Sequence, residues 1–187
     1  ETIQKNKLRS VAFTIGELEQ LNALNKLESK QQLHIKFDTG MHRQGIPENN
    51  TDKCVDTIKH AKLNIEGVIT HFADAENKTS NLHHKQMEKW NGIVEKIKNL
   101  HSNVKYFHAA NSAGFAWHKE MLANVGRLGI ALYGFDPGNL GVNLALVLSM
   151  KSIVSSIRTI ETGETVGYNA THIATKPTTV ATVPVGY

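Results

Sequence analysis

The first 130 residues alternate short apolar runs, typical of β-strands, with the amphipathic spacing of helices. Leucines at every third position from Leu18 to Leu27 predict one helix, which a Thr14-x-x-Glu17 capping box would begin. Alternating strands and helices favour parallel βαβ units, and their spacing fits the repeats of a (β/α)8 barrel. The other predicted helices contain Val55, Ile58 and Ala61 or run from Leu82 to Leu100, and the predicted strands are 9–14, 33–37, 65–72, 104–110 and 124–130.

The pattern changes after residue 135. Proline, glycine and asparagine cluster there as in a linker. The run 144–150 then alternates with the period of a strand, 162–165 predicts a turn, and 178–185 alternates again. We therefore expect an α/β chain with part of a (β/α)8 barrel at 1–135, a linker at 136–143, and the start of a mainly-β domain at 144–187.

Composition excludes several classes of protein. The 21 basic and 17 acidic residues are intermixed and give a net charge of only +4, so a nucleic-acid partner is not expected. A single cysteine, Cys54, permits no intrachain disulfide and favours a reducing cytoplasm. No apolar run is long enough to span a membrane, and no convergent ligand set predicts a metal site.

Polar side chains collect where the predicted strands end. Loops at the C-terminal ends of barrel strands converge on one mouth, where active sites lie, so we expect these side chains to come together. Ser112, Gly129 and Ile130 also suggest an anion site, made of a hydroxyl and backbone N–H groups after the last two strands. The strand-end residues are Asp38, Arg43, His71, Asn111, Ser112 and Arg127.

Most of these residues, and several others, could instead have purely structural roles. Arg127 lies in an otherwise apolar run and needs a partner, either a carboxylate or a group that this chain does not encode. Asn111 and Ser112 could cap a helix at 113–122. The remaining alternatives are a core histidine for His71, a surface ion pair for Arg43, a solvated side for Lys36, a turn aromatic for Tyr168, and a solvated helix start for His83 and His84.

Six stretches resemble, in order, the alanine racemase family, whose members are pyridoxal-phosphate (PLP) enzymes with a β/α barrel and a C-terminal β domain. They are "HIKFDTGMHRQGI", "GVITHFADAE", "HAANSAG", "VGRLGIALYG", "ETVGYNATH" and "VPVGY". The resemblance implies a cytoplasmic homodimer with composite active sites that interconverts L- and D-alanine by two-base proton transfer. It also implies a role in supplying D-alanine for the cell wall.

The resemblance assigns the cofactor contacts. Arg127 would donate to the pyridine nitrogen of PLP. Ser112 and the backbone of Gly129 and Ile130 would hold the phosphate, with Asn111 beside them.

It also assigns the reacting groups. Tyr168 matches one of the two acid/base groups, which reaches the active site of the other subunit. His71 would hydrogen-bond towards Arg127 and that tyrosine, which makes these three the catalytic candidates. Arg43 would lie near the PLP phenolic oxygen and the substrate carboxylate, and Lys36 matches a position that is carbamylated in some members.

Two departures from the family pattern affect these expectations. The family's second base, a lysine that also binds PLP covalently, lies in a motif close to "KANAYG" that is not found here. We therefore expect an internal segment, inactive alone, that lacks the start of the barrel and most of the β domain. His42 stands where the commonest family pattern has glycine. Alternatives are a racemase of broader specificity, or a non-catalytic PLP-binding or structural piece that needs a second chain.

Overall fold

Four parallel strands form a sheet whose spatial order follows the order of the chain. The computed structural model describes residues 10–100, 103–139 and 141–186. Strands β1 to β4 cover Ala12–Ile15, Gln32–Lys36, Asn64–Ile69 and Tyr106–His108, and each pairs with the next. The helices are α1 (Leu18–Lys26), α2 (Thr51–His60) and α3 (Asn81–Leu100). Sequential parallel strands with helical connections are the repeat of a β/α barrel.

Successive side chains of β2 point to opposite faces of the sheet, as the pleat requires. Leu33 and Ile35 are fully buried and belong to the same apolar core as Leu21 of α1. His34 and Lys36 face the other side, where they are half-buried. This second face is the inner side of the barrel wall, so polar groups on it point towards the barrel interior.

The prediction of a fifth strand at 124–130 is wrong. The Asn124 N–H donates to the carbonyl of Phe107, and the Arg127 N–H donates to that of Ala110, each at 2.9 Å. No strand is formed along the run. One of the two glycines in the run has ψ of −92°, outside the strand region, and glycine adds no side-chain packing to hold a strand. The segment therefore lies beside β4 as an irregular chain.

Two predicted helix starts are also corrected. Thr14 cannot cap α1, because it lies in β1 opposite His34, and the side chain of Glu17 makes no capping hydrogen bond. The predicted helix at 113–122 is reduced to a short 3₁₀ turn at Ala113–Trp117. At Thr14, pairing of β1 with β2 overrides the capping pattern. After Ala113, the helical turn ends at Trp117 and a loop follows.

His83 is buried, contrary to the expectation of a solvated helix start. Its ring lies on the core face of α3, with centroids 4.7 Å from the ring of Phe72 and 4.6 Å from that of Trp117. Neither ring nitrogen has a hydrogen-bond partner among the described residues. Its neighbour His84 is exposed, as expected. Burial lowers the pKa of His83, so the ring is neutral at pH 7.

We predict that His83→Leu stabilises the protein. A buried polar group without a partner costs about 1–3 kcal/mol, and the substitution removes that cost at the expense of some ring packing, for a net gain of about 1 kcal/mol. The gain should widen below pH 6.5, where the unfolded imidazole takes up a proton that the buried ring does not. Thermal unfolding of His83→Leu beside the exposed control His84→Leu measures this, and equal melting temperatures would contradict it.

A second compact unit begins at Leu148 and consists of two short antiparallel pairs. Strand β5 (Ser156–Ile160) pairs with β8 (Thr178–Thr182), and β6 (Thr165–Val166) pairs with β7 (His172–Ile173). The predicted turn at 162–165 is confirmed at Thr162 and Gly163, where Gly163 has φ of +91°.

The predicted strand at 144–150 is not formed. The run has no pairing strand among the described residues, and its large side chains from Leu146 onward are exposed, as Leu148 illustrates at 73%. The alternating pattern at 178–185 is confirmed only as far as Thr182. Strand β5 was not predicted, because Ser156, Arg158 and Thr159 break the apolar alternation on which the prediction depends.

Candidate functional site

Arg127 lies where β3 and β4 end. Its Nη1 donates to the carbonyl of His108 at 2.7 Å, and its Nη2 donates to the carbonyl of Thr70 at 2.8 Å. Nη2 also reaches the carbonyl of Ala109 at 3.3 Å. The guanidinium is therefore fixed by backbone oxygens at the carboxyl ends of two neighbouring strands, the edge at which barrel sites are built.

No carboxylate pairs with Arg127 in the described ranges. Burial lowers the pKa of the guanidinium, but arginine stays protonated in proteins. Carbonyls and imidazoles occupy its four Nη hydrogens, whereas the Nε–H contacts no described acceptor. A fixed cation with one unused donor is suited to an acceptor atom of a ligand.

Two imidazoles accept from the same guanidinium. Nη1 lies 3.2 Å from His108 Nδ1, and Nη2 lies 3.3 Å from His71 Nδ1. Because a guanidinium only donates, both Nδ1 atoms must be unprotonated, which places the ring protons on Nε2. Burial, then the charge of Arg127, lowers the pKa of both rings, that of His108 to about 4. Both histidines are therefore neutral at pH 7.

A chain of side chains continues from His108 along the inner face of the sheet. His108 Nε2 donates to His34 Nδ1 at 2.8 Å, which leaves the proton of His34 on Nε2, 3.6 Å from Glu66 Oε1. Gly67 makes room for this ring, since a Cβ there would lie 2.7 Å from it. Sequence reasoning missed these residues, and it offered a solvated side for Lys36; the signal that could have found His34 is its position between Leu33 and Ile35, both of which are buried.

Ser112 and Asn111 have different environments. Ser112 Oγ accepts the N–H groups of Gly129 at 2.9 Å and Ala131 at 3.2 Å, so its own proton is available to a further acceptor. Asn111 Oδ1 accepts the Gly114 N–H at 2.7 Å, which is the capping contact considered as an alternative. The structure thus assigns a cap to Asn111 and leaves a donor on Ser112.

These side chains border one cleft of about 300 Å³. Six residues predicted for the site line it, together with Glu76, Ala113 and Pro137. The six are His71, Asn111, Ser112, Arg127, Gly129 and Ile130. The sequence placed them in three separate segments, and the loops after β3 and β4 bring them together.

Arg43 is carried by a tight loop after β2. Asp38 Oδ1 accepts the N–H groups of Gly40, Met41 and His42 at 2.9, 2.9 and 3.1 Å. Burial acts to raise the pKa of Asp38, but these hydrogen bonds outweigh it and the pKa is lowered. His42 has φ of +56°, so the turn persists without glycine at this position. Arg43 itself is exposed and pairs with no carboxylate in the described part of the chain.

Lys36 is the last residue of β2, directly before this loop. Its Nζ donates to Gln44 Oε1 at 3.3 Å. Burial, followed by the positive charges of Arg43 and Arg127, lowers the pKa of its amine. A lowered pKa increases the neutral, nucleophilic fraction of a lysine.

Tyr168 belongs to the second compact unit and is 86% exposed. It begins a short 3₁₀ turn after Gly167, whose φ is +79°, and is followed by two left-handed residues, Asn169 at +58° and Ala170 at +51°. A left-handed alanine stores backbone strain, which concentrates at functional positions. The turn therefore presents the phenol to solvent on a strained support.

No group of three or more His, Cys, Asp or Glu side chains in the described ranges is placed to hold a metal ion. None of the helices described is both long and apolar enough to cross a membrane. Cys54 is buried, which raises the pKa of its thiol to about 12.

We predict that stability falls as the pH drops from 6.5 to about 4. In the unfolded chain His108 takes up a proton near pH 6.5, and in the folded protein only near pH 4. The free energy of unfolding therefore decreases as the pH falls through this window. At about 1.4 kcal/mol per pH unit, His108 alone accounts for roughly 2–3 kcal/mol. Urea unfolding at stepped pH should show this slope. His108→Gln should flatten it and the exposed control His60→Gln should not; an unchanged slope in His108→Gln would refute the assignment.

The sequence model of the alanine racemase N-terminal domain matches residues 1–137, and that of the C-terminal domain matches residues 147–187. The chain belongs to the alanine racemase family. An alanine racemase of Ligilactobacillus salivarius is 37% identical over 95% of this chain and 50% of its own. The chain thus spans about half the length of the curated relatives it matches.

Solved alanine racemases share the fold. That of Pseudomonas aeruginosa, 28% identical, has a TM-score of 0.70 over 92% of this chain and 48% of its own. That of Bartonella henselae, 26% identical and with covalently bound pyridoxal phosphate, has a TM-score of 0.69 over 93% of this chain and 49% of its own. These matches confirm the predicted family and fold class, which is part of a (β/α)8 barrel followed by the start of a mainly-β domain.

Proposed function

We propose that this chain supplies part of the active site of a PLP-dependent alanine racemase, which interconverts L- and D-alanine by proton transfer between two bases. The observation that carries the proposal is the environment of Arg127. A half-buried guanidinium, held by strand-end carbonyls and two neutral imidazoles, keeps one N–H unused beside a cleft. The family matches support the same function, and the solved relative from Bartonella henselae contains covalently bound pyridoxal phosphate.

The residues of the cleft fit PLP. The Nε–H of Arg127 is a donor for the pyridine nitrogen, and the free hydroxyl proton of Ser112 is a donor for a phosphate oxygen. Gly129 adds no bulk, because a Cβ there would have only Ser112 Oγ near it, at 4.0 Å. Gly129 and Ile130 border the phosphate site; because the Gly129 N–H donates to Ser112 Oγ, the Ile130 N–H is the backbone donor we propose for the phosphate, and Asn111 fixes the neighbouring turn. When bound, PLP acidifies the α-proton of an amino acid.

Arg127 would keep the ring nitrogen of the cofactor unprotonated, because a guanidinium stays charged in proteins and gives up no proton. His71 is held neutral with its Nδ1 on Arg127, so its Nε2–H is free to donate. We assign that donor to the phenol of the partner subunit's Tyr168, whose phenolate a hydrogen bond and nearby positive charge would favour. His71, Arg127 and Tyr168 are thus the catalytic residues we propose in this chain.

Arg43 binds the substrate carboxylate and lies near the cofactor phenolic oxygen, since its loop follows β2 at the same edge of the sheet. Lys36 supports it, and the lowered pKa of Lys36 suits a carbamylated lysine, because carbamylation requires the neutral amine. The enzyme is a cytoplasmic homodimer in which Tyr168 serves the partner's active site. Residues 1–135 form the C-terminal part of the PLP-binding barrel, 136–143 the linker and 144–187 the start of the β domain.

Chiral chromatography tests the proposal on the full-length protein reconstituted with PLP. We expect L-alanine and D-alanine each to approach an equal mixture, with other amino acids converted more slowly. Comparable rates for several amino acids would instead indicate a broad-specificity racemase. No conversion of any amino acid by a correctly folded, PLP-saturated protein would overturn the proposal.

A further inference from the structure

Helix α3 reaches the candidate site through one side chain, Gln86. This residue is fully buried and its amide is fully used. Oε1 accepts the Ala73 N–H at 2.9 Å, while Nε2 donates to the carbonyl of His71 and to Thr39 Oγ1, both at 3.3 Å. One helical side chain therefore ties together the loops that follow β2 and β3.

The hydrogen bonds beyond Thr39 run in one direction. The Thr70 hydroxyl donates to the carbonyl of Phe37 at 2.9 Å, so the Thr39 hydroxyl must be the donor across its 2.9 Å contact with Thr70 Oγ1. Thr39 Oγ1 in turn accepts from Gln86. The chain of donors therefore starts at the Gln86 amide, and the network is buried, since Thr39 is 3% exposed and Thr70 is 0% exposed.

The network contacts the catalytic candidates at both of its ends, at Gln86 and at Thr70. Gln86 bonds to the carbonyl of His71 and to the N–H of Ala73, which fixes the backbone from which the His71 ring projects towards Arg127. Thr70, fixed through its hydroxyl, presents its carbonyl to Arg127 at 2.8 Å. The orientation of the His71–Arg127 pair is therefore set partly by a residue of α3 that lines no part of the cleft.

We propose that Gln86 is a positioning residue for His71 and Arg127, acting through Thr39 and Thr70. An acceptor and two donors at this reach are found only in a glutamine side chain: glutamate lacks the donors, methionine lacks both, and asparagine is one methylene shorter. The consequence for racemisation rests on the proposed function, whereas the effect on the geometry of His71 does not.

The first test is Gln86→Met in the full-length, PLP-loaded protein. NMR titration of labelled histidine follows His71, whose signal is assigned by its disappearance in His71→Asn. We expect the pKa of His71 to rise towards its ordinary value as the ring leaves Arg127. We also expect kcat for alanine to fall about tenfold or more with KM changed less than about threefold, the pattern of lost transition-state positioning.

The matched control is His83→Leu, one turn earlier on the same buried face of α3, where the native side chain has no hydrogen bond among the described residues. It should change neither the His71 titration nor kcat. A folded Gln86→Met with the native His71 titration and native kcat would overturn the proposal. Because the titration needs no turnover, an inactive wild type would reject the proposed function while the titration alone still decides the role of Gln86.

If Gln86→Met does not fold, a second pair of variants tests the positioning role of Gln86. Thr39→Val removes the hydroxyl that links Gln86 to Thr70 at nearly constant shape, and Thr39→Ser restores it. We expect Thr39→Val to shift the His71 titration in the same direction as Gln86→Met and Thr39→Ser to return it to the native value. A native titration in Thr39→Val would overturn the proposal.

Discussion

Arg127→Lys is expected to impair both stability and racemisation in the full-length protein. Lysine keeps the charge but offers three donors from one atom, which cannot serve the three carbonyls and two imidazoles that the two terminal nitrogens of the guanidinium reach. Buried carbonyls left without donors should lower the free energy of unfolding by about 1–3 kcal/mol. Racemisation should fall by about 10²-fold or more, because no donor remains at the Nε position to face the cofactor.

Arg158→Lys is the matched control, since Arg158 is an exposed arginine of β5 outside the proposed site. Urea unfolding and steady-state kinetics of the two variants show whether the losses come from the surroundings of Arg127 or from any replacement of arginine by lysine. Native stability and native rates in Arg127→Lys would show that the fork of hydrogen bonds is not needed and that Arg127 does not serve the cofactor.

Tyr168→Phe is expected to produce a one-sided defect. The substitution keeps the ring and removes the ionisable hydroxyl, so the base on one face of the α-carbon is lost while the lysine base expected from the family remains. Exchange of the α-proton with solvent should fall by about 10²–10⁴-fold for one alanine enantiomer and persist better for the other, because removal of a positioned base typically costs that much.

Tyr133→Phe provides the comparison, because Tyr133 is also an exposed tyrosine but was not predicted for the site. Proton NMR in D₂O records exchange for each enantiomer separately. Small and equal losses for both enantiomers in Tyr168→Phe would show that this residue is only a turn aromatic, supported by the strained residues after it.

The four strands of the sheet were predictable because their patterns are local. Apolar residues at alternate positions, such as Leu33 and Ile35, identify a buried face without knowledge of the partners. The prediction of a fifth strand at 124–130 was wrong because its local pattern did not decide the structure. The apolar residues of this run suggest a strand, but its two glycines leave too little side-chain packing to hold one, and a 3₁₀ turn begins at Ile130.

The site was predictable in part because barrel topology brings strand ends together. That rule correctly grouped His71, Ser112 and Arg127 around one cleft. It said nothing of Glu66, and the contact between His34 and His108 joins residues 74 positions apart, which no local pattern encodes.

Buried polar residues on helices were the least predictable. Gln86 and His83 both look like members of a solvated face, because polar side chains in a helix usually are. One of them is retained by the hydrogen bonds it makes to strand-end loops, and the other is enclosed by aromatic rings. Neither environment is visible until the helix is docked on the sheet.

The most direct test of the central claim is deuterium incorporation at the α-carbon of alanine by the full-length, PLP-loaded protein in D₂O. Two bases that exchange their protons with solvent predict that each enantiomer gives a product carrying deuterium from the first turnovers, starting from either L- or D-alanine. A product that retains its original proton would indicate a single base that returns what it removes. The absence of both exchange and formation of the opposite enantiomer, from either L- or D-alanine, would contradict the assignment of racemase chemistry to this site.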